Sequence, residues 1–566
     1  MQTSPSPLLD RSPDRRDHLV AVALTLLYLI WLIITQRQVG IPRDESIYFY
    51  AADRFSEWFQ LLLDEGLAAF SRQGIDRGFA FNHEHPMLMK ALFGLSHELL
   101  HKRWDLIGDP LLAYRLPTIC FAAGLLWLCW RVAYRCGGRW AGLGALLALA
   151  MMPRLAFHAR LACFDLPVTA MWFFAAWSFW SVLEGRRHLA VAGVTLGLAQ
   201  ATKLNTFFAP FTFALALALY LWRRKRHQLS WRSELRAQLR LFLLLGLITL
   251  VVFYLHWPWL YYDTFRRVGA YIGFHARHVH YPVDYLGTLY YAPPFPLHFP
   301  FLFSALTIPA GTLALGLWGS WRLLERARAR PPQTLPLEGF ILCNLMVPIL
   351  VIALPNTPIF GGTKHWMPAM PFFAIAAGLA FAELVGALQR RWRRQGGTLA
   401  ALVLLLLFFS ESAWATASYS AHGPAYYNSI AGGPPGAAAL RMPRNFWGYS
   451  SVELLPYLNK EAPKEPLVFW HNATGIAVHH YKRAGRLSRG VGNSGDWTGP
   501  YSEIAIYHDH REKRPEEADL WWGLGSEWPV EGFFIDGVQQ IGLYHRSVAR
   551  RRTKAREAAA AREIKR

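Results

Sequence analysis

Apolar stretches long enough to cross a lipid bilayer recur along the first three quarters of this 566-residue chain. A hydrocarbon core about 30 Å thick needs roughly 20 apolar residues in a helix. Backbone polar groups in lipid are satisfied only within helices or closed barrels, so we predict about eleven transmembrane helices. The predicted spans are centred on residues 18–35, 111–130, 140–157, 166–183, 189–203, 204–222, 241–260, 300–320, 338–354, 367–387 and 398–417.

Lysine and arginine are concentrated in alternate loops between these spans, for example EGRRH at 184–188 and RRKRH at 223–227. Cytoplasmic loops carry the excess of these residues, so these loops are predicted to be cytoplasmic, with residues 1–17 as a cytoplasmic tail. The net charge of +21 is spread over many hairpins and forms no single patch. This distribution argues against nucleic acid as a partner and leaves the lipid bilayer.

The predicted fold class is an all-α polytopic membrane protein with a small α/β domain at its C-terminal end. Residues 18–417 form the predicted transmembrane domain. Its first outer loop, 36–110, contains two stretches with apolar residues at helical spacing, which predict amphipathic helices on the membrane surface. After residue 417, glycine, proline and charge increase and short alternating stretches appear, so 418–566 is predicted to be an outer α/β domain.

Two adjacent acids, Asp44 and Glu45, stand where the first span ends. A structural role is open, because Asp44 can cap the helix that follows and Glu45 suits its first turn. Ionisable residues at a membrane boundary also mark polar, functional cavities.

Nearly every other predicted outer turn carries an acid or a base as well. Single lysines and arginines at span ends usually extend to lipid headgroups. Together, however, these residues indicate a site for a negatively charged lipid headgroup, with cations for phosphate and a carboxylate for proton transfer. They are His83, Glu84, His85, Lys90, Arg115, His158, Arg160, Asp165, Lys203, Lys364 and His365.

Several short segments between about residues 40 and 380 occur in an order that resembles a known family. They are RDESIYFYAADRF, HPMLMK, RLPTICFAAGLL, ARLACFD, GLAQATK and KHWMPAMPFFAIAAG. They resemble the GT-C superfamily of polyprenyl-phosphate-sugar-dependent glycosyltransferases, more closely bacterial members of the protein O-mannosyltransferase and lipid A aminoarabinose transferase group. HPMLMK departs from the family's HPPLxK pattern at Met87, and the C-terminal segment does not match the WWDYG signature of oligosaccharyltransferases.

The resemblance implies an inverting transfer of a sugar from a polyprenyl phosphate to an envelope acceptor, on the outer face of a bacterial inner membrane. Asp44 is the implied general base, and Glu45 orients it or binds the acceptor. The implied donor-phosphate ligands are Lys90, Arg115, Lys203, Lys364 and His365. The residues expected around the substrate cavity are His83, Glu84, His85, Arg160, Asp165 and Tyr285.

Three questions stay open at this stage. Asp44 and Asp165 are candidate ligands of a divalent metal ion, whose requirement is unknown. The residues do not distinguish a hexose from a pentose donor, or a protein acceptor from lipid A or another glycan. A transporter or lipid-sugar flippase is the alternative function, although such proteins usually carry broken, repeated helices near the membrane centre. A scaffold anchored by its spans is a third interpretation, which needs far fewer spans.

Overall fold

The computed structural model describes residues 12–391, 394–461, 468–471, 473–494, 502–508 and 515–564. The helices of the first half are α1 Arg15–Thr35, α2 Arg43–Glu65, α3 Arg72–Phe79, α4 Leu88–Ser96, α5 Pro110–Gly137, α6 Arg139–Ala150, α7 Pro153–His158, α8 Asp165–Leu183, α9 Leu189–Gln200, α10 Ala209–Arg226 and α11 Trp231–His256. The remaining helices are α12 Thr264–Ala276, α13 Phe299–Thr307, α14 Ala310–Ala329, α15 Leu337–Ala353, α16 Met370–Arg391, α17 Arg394–Ser418, α18 Gly433–Ala439, α19 Leu455–Glu461, α20 Val478–Arg483, α21 Pro515–Leu524 and α22 Arg546–Ile564.

The fold is that of a multi-pass helical membrane protein, as predicted. Within the described residues, seven helices are long and apolar enough to cross a membrane, and three shorter apolar helices accompany them. The seven are Arg15–Gln38, Pro110–Gly137, Asp165–Leu183, Leu204–Arg226, Trp231–His256, Met367–Arg391 and Leu399–Ser418, and the shorter ones are Arg139–Ala150, Leu189–Gln200 and Leu337–Ala353.

Two predicted spans are interrupted by proline. The span predicted at 300–320 is divided into α13 and α14, because Pro309 forces Ile308 into an extended conformation with φ −86° and ψ 133°. The span predicted at 140–157 ends as α6, and Pro153 begins the short helix α7. Both breaks lie close to the cavity described below, since α7 and α13 contribute to its wall.

Glycine lets the transmembrane helices approach one another closely. A Cβ atom on Gly319 of α14 would lie 1.9 Å from the carbonyl oxygen of Ala376 on α16. A Cβ atom on Gly378 of α16 would lie 2.3 Å from the carbonyl oxygen of Ala141 on α6. Small residues at such crossings are the usual means of helix association in lipid. These contacts hold α16, and residues 362–365 just before it, in a defined place.

The first outer loop contains both predicted helices, α2 and α4. Much of the apolar face of α2 is buried in protein: Phe49 belongs to a hydrophobic core that also contains Tyr449, Val468 and Ile504. Residues on either side of the predicted domain boundary therefore share one core. This core holds the N-terminal end of α2 against the C-terminal region.

The C-terminal region has the mixed α/β character predicted for it. Its described strands are β3 Val468–Trp470, β4 Ile504–His508, β5 Glu531–Ile535 and β6 Val538–His545, in the order β3-β4-β6-β5. The β3–β4 pair is parallel and the others are antiparallel, with Val468 opposite Ile504 and Ile504 opposite His545. A separate hairpin, β1 Val283–Tyr285 and β2 Thr288–Tyr290, precedes α13. The segment between α18 and α19, residues 440–454, reaches from this region to the cavity wall.

Candidate active site

A cavity of about 890 Å³ lies between the start of α2, helices α7, α12 and α13, and the C-terminal region. Its walls are partly apolar and partly charged, as expected for a pocket that orients a ligand with a few polar groups. The lining residues used below are Arg43, Asp44, Glu84, His85, Arg154, Phe303, Arg444, Trp447, Trp470 and His471.

Asp44 lies on the cavity wall, with 29% of its side chain exposed. It is the second residue of α2, and Pro42 occupies the N-cap position without a side-chain hydrogen bond. The capping role considered from the sequence is therefore wrong for Asp44. Its Oδ2 atom lies 3.6 Å from Nζ of Lys364, so the carboxylate faces both the cavity and a cation.

Glu45 points away from the cavity and is fully buried. Its carboxylate accepts two hydrogen bonds from Arg115, of 2.8 and 2.7 Å, and one of 2.7 Å from the backbone N–H of Ala162. Successive helical residues are turned by about 100°, since an α-helix has 3.6 residues per turn. Adjacent acids on one helix thus diverge into a cavity residue and an interior residue.

Arg115, predicted to bind phosphate, lies inside the protein with no exposed surface. Beyond Glu45 it donates hydrogen bonds to the carbonyl oxygens of Gln36 (2.8 Å), Val39 (3.0 Å) and Gly40 (3.2 Å). A guanidinium with its donors satisfied in this way fastens the loop before α2 to α5.

Lys364 is nearly buried, with 4% of its side chain exposed, and is surrounded by aromatic rings. Its Nζ atom lies 4.0 Å from the ring centroid of Trp447, 5.3 Å from that of Phe360 and 5.5 Å from that of Phe446. Burial lowers the pKa of Lys364, and the carboxylate of Asp44 opposes that change. Gly361 leaves room for the lysine stem: it adopts φ +77°, and a Cβ there would lie 2.4 Å from Cε of Lys364.

Lys90 supports the cavity wall from behind. Its buried Nζ atom donates hydrogen bonds to the carbonyl oxygens of Asn82 (2.5 Å) and His85 (2.8 Å). Burial lowers the pKa of Lys90 to about 7. It thereby closes the turn that places Glu84 and His85 on the cavity wall. Glu84 and His85, both predicted to lie near the substrate, are therefore on the cavity wall, whereas the predicted phosphate ligand Lys90 lies behind it.

Asp165, Lys203 and His158 form a second polar cluster outside the cavity lining. Nζ of Lys203 lies 2.6 Å from Oδ1 of Asp165, and Nδ1 of His158 lies 3.5 Å from Oδ2 of the same carboxylate. Burial lowers the pKa of His158, so the ring is favoured in its neutral form. The cluster joins the end of α7, the start of α8 and the segment just after α9.

Four further predicted site residues do not line the cavity and are engaged with other parts of the protein. Arg160 is buried and bonds to Thr35 and to the side chain and carbonyl of Ser420. The ring of His83 stacks on Trp259, with centroids 4.5 Å apart. Tyr285 is buried against Phe299. The ring of His365 bonds to the carbonyl oxygen of Phe360 at 2.6 Å, and burial lowers the pKa of His365 to about 3.

Arg154, which sequence reasoning did not select, lines the cavity from α7. Its guanidinium lies 4.8 Å from the ring centroid of Phe303 and 5.2 Å from that of Tyr427, and its Nη2 donates to the carbonyl oxygen of Tyr426 at 3.1 Å. Its Nε is buried and makes no hydrogen bond within the described part of the chain. Arg154 is therefore a cavity cation with unused donor capacity.

A family model for Dolichyl-phosphate-mannose-protein mannosyltransferase matches residues 81–259. The matched segment contains Lys90, Arg154, Asp165 and Lys203. The oligosaccharyltransferase of Archaeoglobus fulgidus in its apo form has a similar fold, with a TM-score of 0.50 at 12% identity over 91% of this chain and 72% of that chain. Part of the chain is therefore similar to this mannosyltransferase family, and the fold is similar to that of a membrane oligosaccharyltransferase.

ArnT from Cupriavidus metallidurans bound to undecaprenyl phosphate also matches the chain, with a TM-score of 0.48 at 15% identity over 93% of this chain and 97% of that chain. The apo state of that ArnT matches with a TM-score of 0.49 at 14% identity, over 94% and 98%. No curated protein sequence matches the chain.

The two predicted metal ligands, Asp44 and Asp165, do not suit a divalent ion. Asp44 faces Lys364, and Asp165 is paired with Lys203, so a metal would compete with an ammonium group at either carboxylate. The described ranges contain no group of three or more His, Cys, Asp or Glu side chains arranged to hold an ion. The cavity chemistry is therefore derived below from side chains alone.

No local signal in the sequence separates the missed cation Arg154 from its neighbour Arg160. Arg154 and Arg160 lie in the same short outer turn, RLAFHAR, and only the second was selected. Pro153 begins a helix that ends at His158: Arg154, in its first turn, lines the cavity, whereas Arg160 follows the helix and donates a hydrogen bond back to the carbonyl oxygen of Ala156 in the interior. Composition and order in the turn do not distinguish the two.

Proposed function

We propose that this protein transfers a sugar from a polyprenyl-phosphate donor to an envelope acceptor, with Asp44 as the general base. The observation that carries the proposal is the position of Asp44: its carboxylate is partly exposed on the cavity wall, 3.6 Å from Lys364, whereas Glu45 is buried. The description of the matching family, which names a dolichyl-phosphate sugar, supports a lipid-linked donor.

The proposed reaction is a single displacement with inversion. An acceptor hydroxyl attacks the anomeric carbon as its proton passes to Asp44. The bond between the anomeric carbon and the phosphate oxygen breaks, and its electron pair leaves with the polyprenyl phosphate. The Lys364 ammonium orients the Asp44 carboxylate towards the cavity. Glu45 acts at a distance, because its pair with Arg115 holds the start of α2 in place.

Arg154 is the proposed ligand of the departing phosphate. A guanidinium can bind two phosphate oxygens at once, and positive charge near the leaving oxygen lowers the barrier. Phe303 and Tyr427 hold this guanidinium at the inner wall of the cavity. The other predicted phosphate ligands are buried or paired: Arg115 with Glu45, and Lys203 with Asp165. Lys364, also predicted to bind the phosphate, is instead proposed to act on the Asp44 carboxylate.

The proposed orientation puts the cavity on the outer, periplasmic face of a bacterial inner membrane. Arg223, Arg224, Lys225 and Arg226, in the last turn of α10, mark the proposed cytoplasmic side. The donor's polyprenyl chain would lie among the transmembrane helices. The acceptor, a protein, lipid A or another glycan, would enter from the aqueous side, where the C-terminal region lines the cavity.

The test uses the full-length protein in lipid nanodiscs. Polyprenyl-phosphate hexose, pentose and amino-sugar donors are supplied with a crude envelope fraction, and released polyprenyl phosphate is measured. Asp44→Asn should reduce release by about 10²–10⁴-fold, the usual contribution of a general base. Asp64→Asn is the matched control, because Asp64 lies on the same helix and is exposed.

If Asp44→Asn releases polyprenyl phosphate at the wild-type rate, Asp44 is not the general base. The protein and the same sugar-lipid donors can also be reconstituted in liposomes, where movement of the donor across the bilayer is followed. Sugar-lipid movement without release of polyprenyl phosphate would favour the flippase instead of the transferase.

A further inference from the structure

We infer that Trp447, from the C-terminal region, is a positioning residue that holds Lys364 and the start of α2 on either side of Asp44, and so completes the active site. This inference rests on the proposed function. It means that the transmembrane helices alone do not form a competent reaction centre.

The indole ring of Trp447 contacts the lysine. Nζ of Lys364 lies 4.0 Å from the Trp447 ring centroid, nearer than to the rings of Phe360 and Phe446. A desolvated ammonium over the face of a tryptophan is held by the charge distribution of the ring. Because the same Nζ lies 3.6 Å from Oδ2 of Asp44, the ring fixes the direction from which the cation meets the proposed base.

The backbone of Trp447 contacts the helix that carries the base. The backbone N–H of Arg43 donates a hydrogen bond of 2.9 Å to the carbonyl oxygen of Trp447. Arg43 is the first residue of α2 and immediately precedes Asp44. One residue of the C-terminal region therefore holds both members of the Lys364–Asp44 pair, one through its ring and the other through its carbonyl group.

The backbone conformation of Trp447 is unusual for a bulky residue. Its φ is +76°, and Gly448, which follows, has φ +72°. A bulky residue whose backbone adopts this left-handed conformation is strained, and the conformation persists only where the surrounding structure holds it. Here a Cβ atom on Gly448 would lie 2.1 Å from the carbonyl oxygen of Ala473, and Asn445 bonds to Ser450 at 3.1 Å. Such strain occurs preferentially at functional sites.

Several charged or titratable groups act on Lys364 together with the ring. They come from α2, from the segment 158–165, from the start of the segment after α9 and from the residue that follows Lys364 in the chain. The groups are Asp44, His158, Cys163, Asp165, Lys203 and His365. Of these, His158 also contacts Trp447, with ring centroids 5.4 Å apart. Loss of the ring should therefore make the Lys364 ammonium easier to deprotonate, and it also removes the ring contact with His158.

The test compares Trp447→Leu and Trp447→Phe with the matched control Trp528→Leu, which removes an exposed tryptophan of the same region. Turnover of the polyprenyl-phosphate donor is measured from pH 6 to 10. Trp447→Leu should lower kcat about tenfold or more while donor KM changes by less than about threefold. The alkaline limb of its kcat profile should move down by about one pH unit, because the ring no longer stabilises the ammonium. Trp447→Phe should recover most of kcat and the wild-type limb, and Trp528→Leu should match the wild type.

An unmoved alkaline limb in folded Trp447→Leu, or equal impairment of the Phe and Leu variants, would overturn the inference. If Trp447→Leu does not fold, Trp447→Met replaces it, since methionine fills similar space without a ring, and the same pH limb decides. No donor turnover by the wild type would overturn the proposed function, and the inference with it. Wild-type turnover that depends on Asp44 but not on Trp447 would overturn only the inference.

Discussion

Removal of either partner of the Glu45–Arg115 pair should destabilise the protein, and Arg115→Met should cost more than Glu45→Gln. Both side chains are fully buried, and the pair makes two short hydrogen bonds. Removing one member of a buried ion pair typically costs about 3–5 kcal/mol, because the other is left as an uncompensated charge.

The two costs differ because the remaining partners differ. Without Arg115, Glu45 keeps one hydrogen bond donor, the N–H of Ala162. We expect the upper part of the range for this variant, about 4–5 kcal/mol. Without the Glu45 charge, Arg115 still donates to the carbonyl oxygens of Gln36, Val39 and Gly40, so about 2–3 kcal/mol is expected. The double variant should cost less than the sum of the two single changes.

The assay is thermal unfolding of the four proteins in one detergent, combined with binding of polyprenyl phosphate to the folded protein. Tm should be highest for the wild type, lower for Glu45→Gln and lower still for Arg115→Met. The loss of stability in the double variant should be smaller than the sum of the two single losses. Donor-lipid affinity should be within a few-fold of wild type in any variant that remains folded. An Arg115→Met protein with unchanged Tm and lost lipid binding would refute this reasoning and restore Arg115 as a phosphate ligand.

Three other variants test separate parts of the structure. Burial lowers the pKa of Lys90 from its usual 10.5 to about 7. Between these two values the unfolded chain binds one more proton than the folded chain, so the stability of the wild type should rise from pH 7 to pH 10. The Tm of Lys90→Met, measured over the same range, should lack this rise. Arg154→Gln should lower donor kcat/KM by about 10²-fold, the usual loss for a preorganised donor at a developing charge, whereas Arg77→Gln on the exposed face of α3 should not. Gly319→Ala should reduce the free energy of unfolding by about 1–3 kcal/mol, seen as a lower Tm, because its Cβ would lie 1.9 Å from a carbonyl oxygen of α16. Gly246→Ala is the control: its Cβ meets open space, so its Tm should match that of the wild type.

Much of the architecture was predictable because hydropathy and charge are read directly from residue order. The helices α5, α8, α10, α11, α16 and α17 lie where long apolar stretches predicted them. The predicted spans at 140–157 and 300–320 were too long, because a proline ends one helix and begins another within each. Helix existence is a local property, but continuity across a proline depends on the neighbours that satisfy the freed backbone groups.

The ionisable residues were harder to assign, because a sequence places them at an outer turn without saying which way they point. Asp44 and Glu45 are adjacent, yet one faces the cavity and the other faces Arg115. Lys90 was predicted to meet the donor phosphate, but it is engaged with the carbonyl groups of a turn. Burial and hydrogen-bond partners come from distant segments and decide which charges remain available to a ligand.

The sequence by itself determined that this chain has many helices apolar enough to cross a membrane, that acids and bases gather at one set of helix ends, and that its short motifs resemble those of the GT-C superfamily in their order. These properties depend on residue type and on spacing within short segments. Only the tertiary structure decided that Arg154 lines the cavity and that Trp447, 403 positions after Asp44 in the numbering, contacts Lys364 and Arg43 beside the candidate base. Both depend on a core shared by α2 and the C-terminal strands, and contacts across so long a stretch of chain are set by packing, not by local pattern.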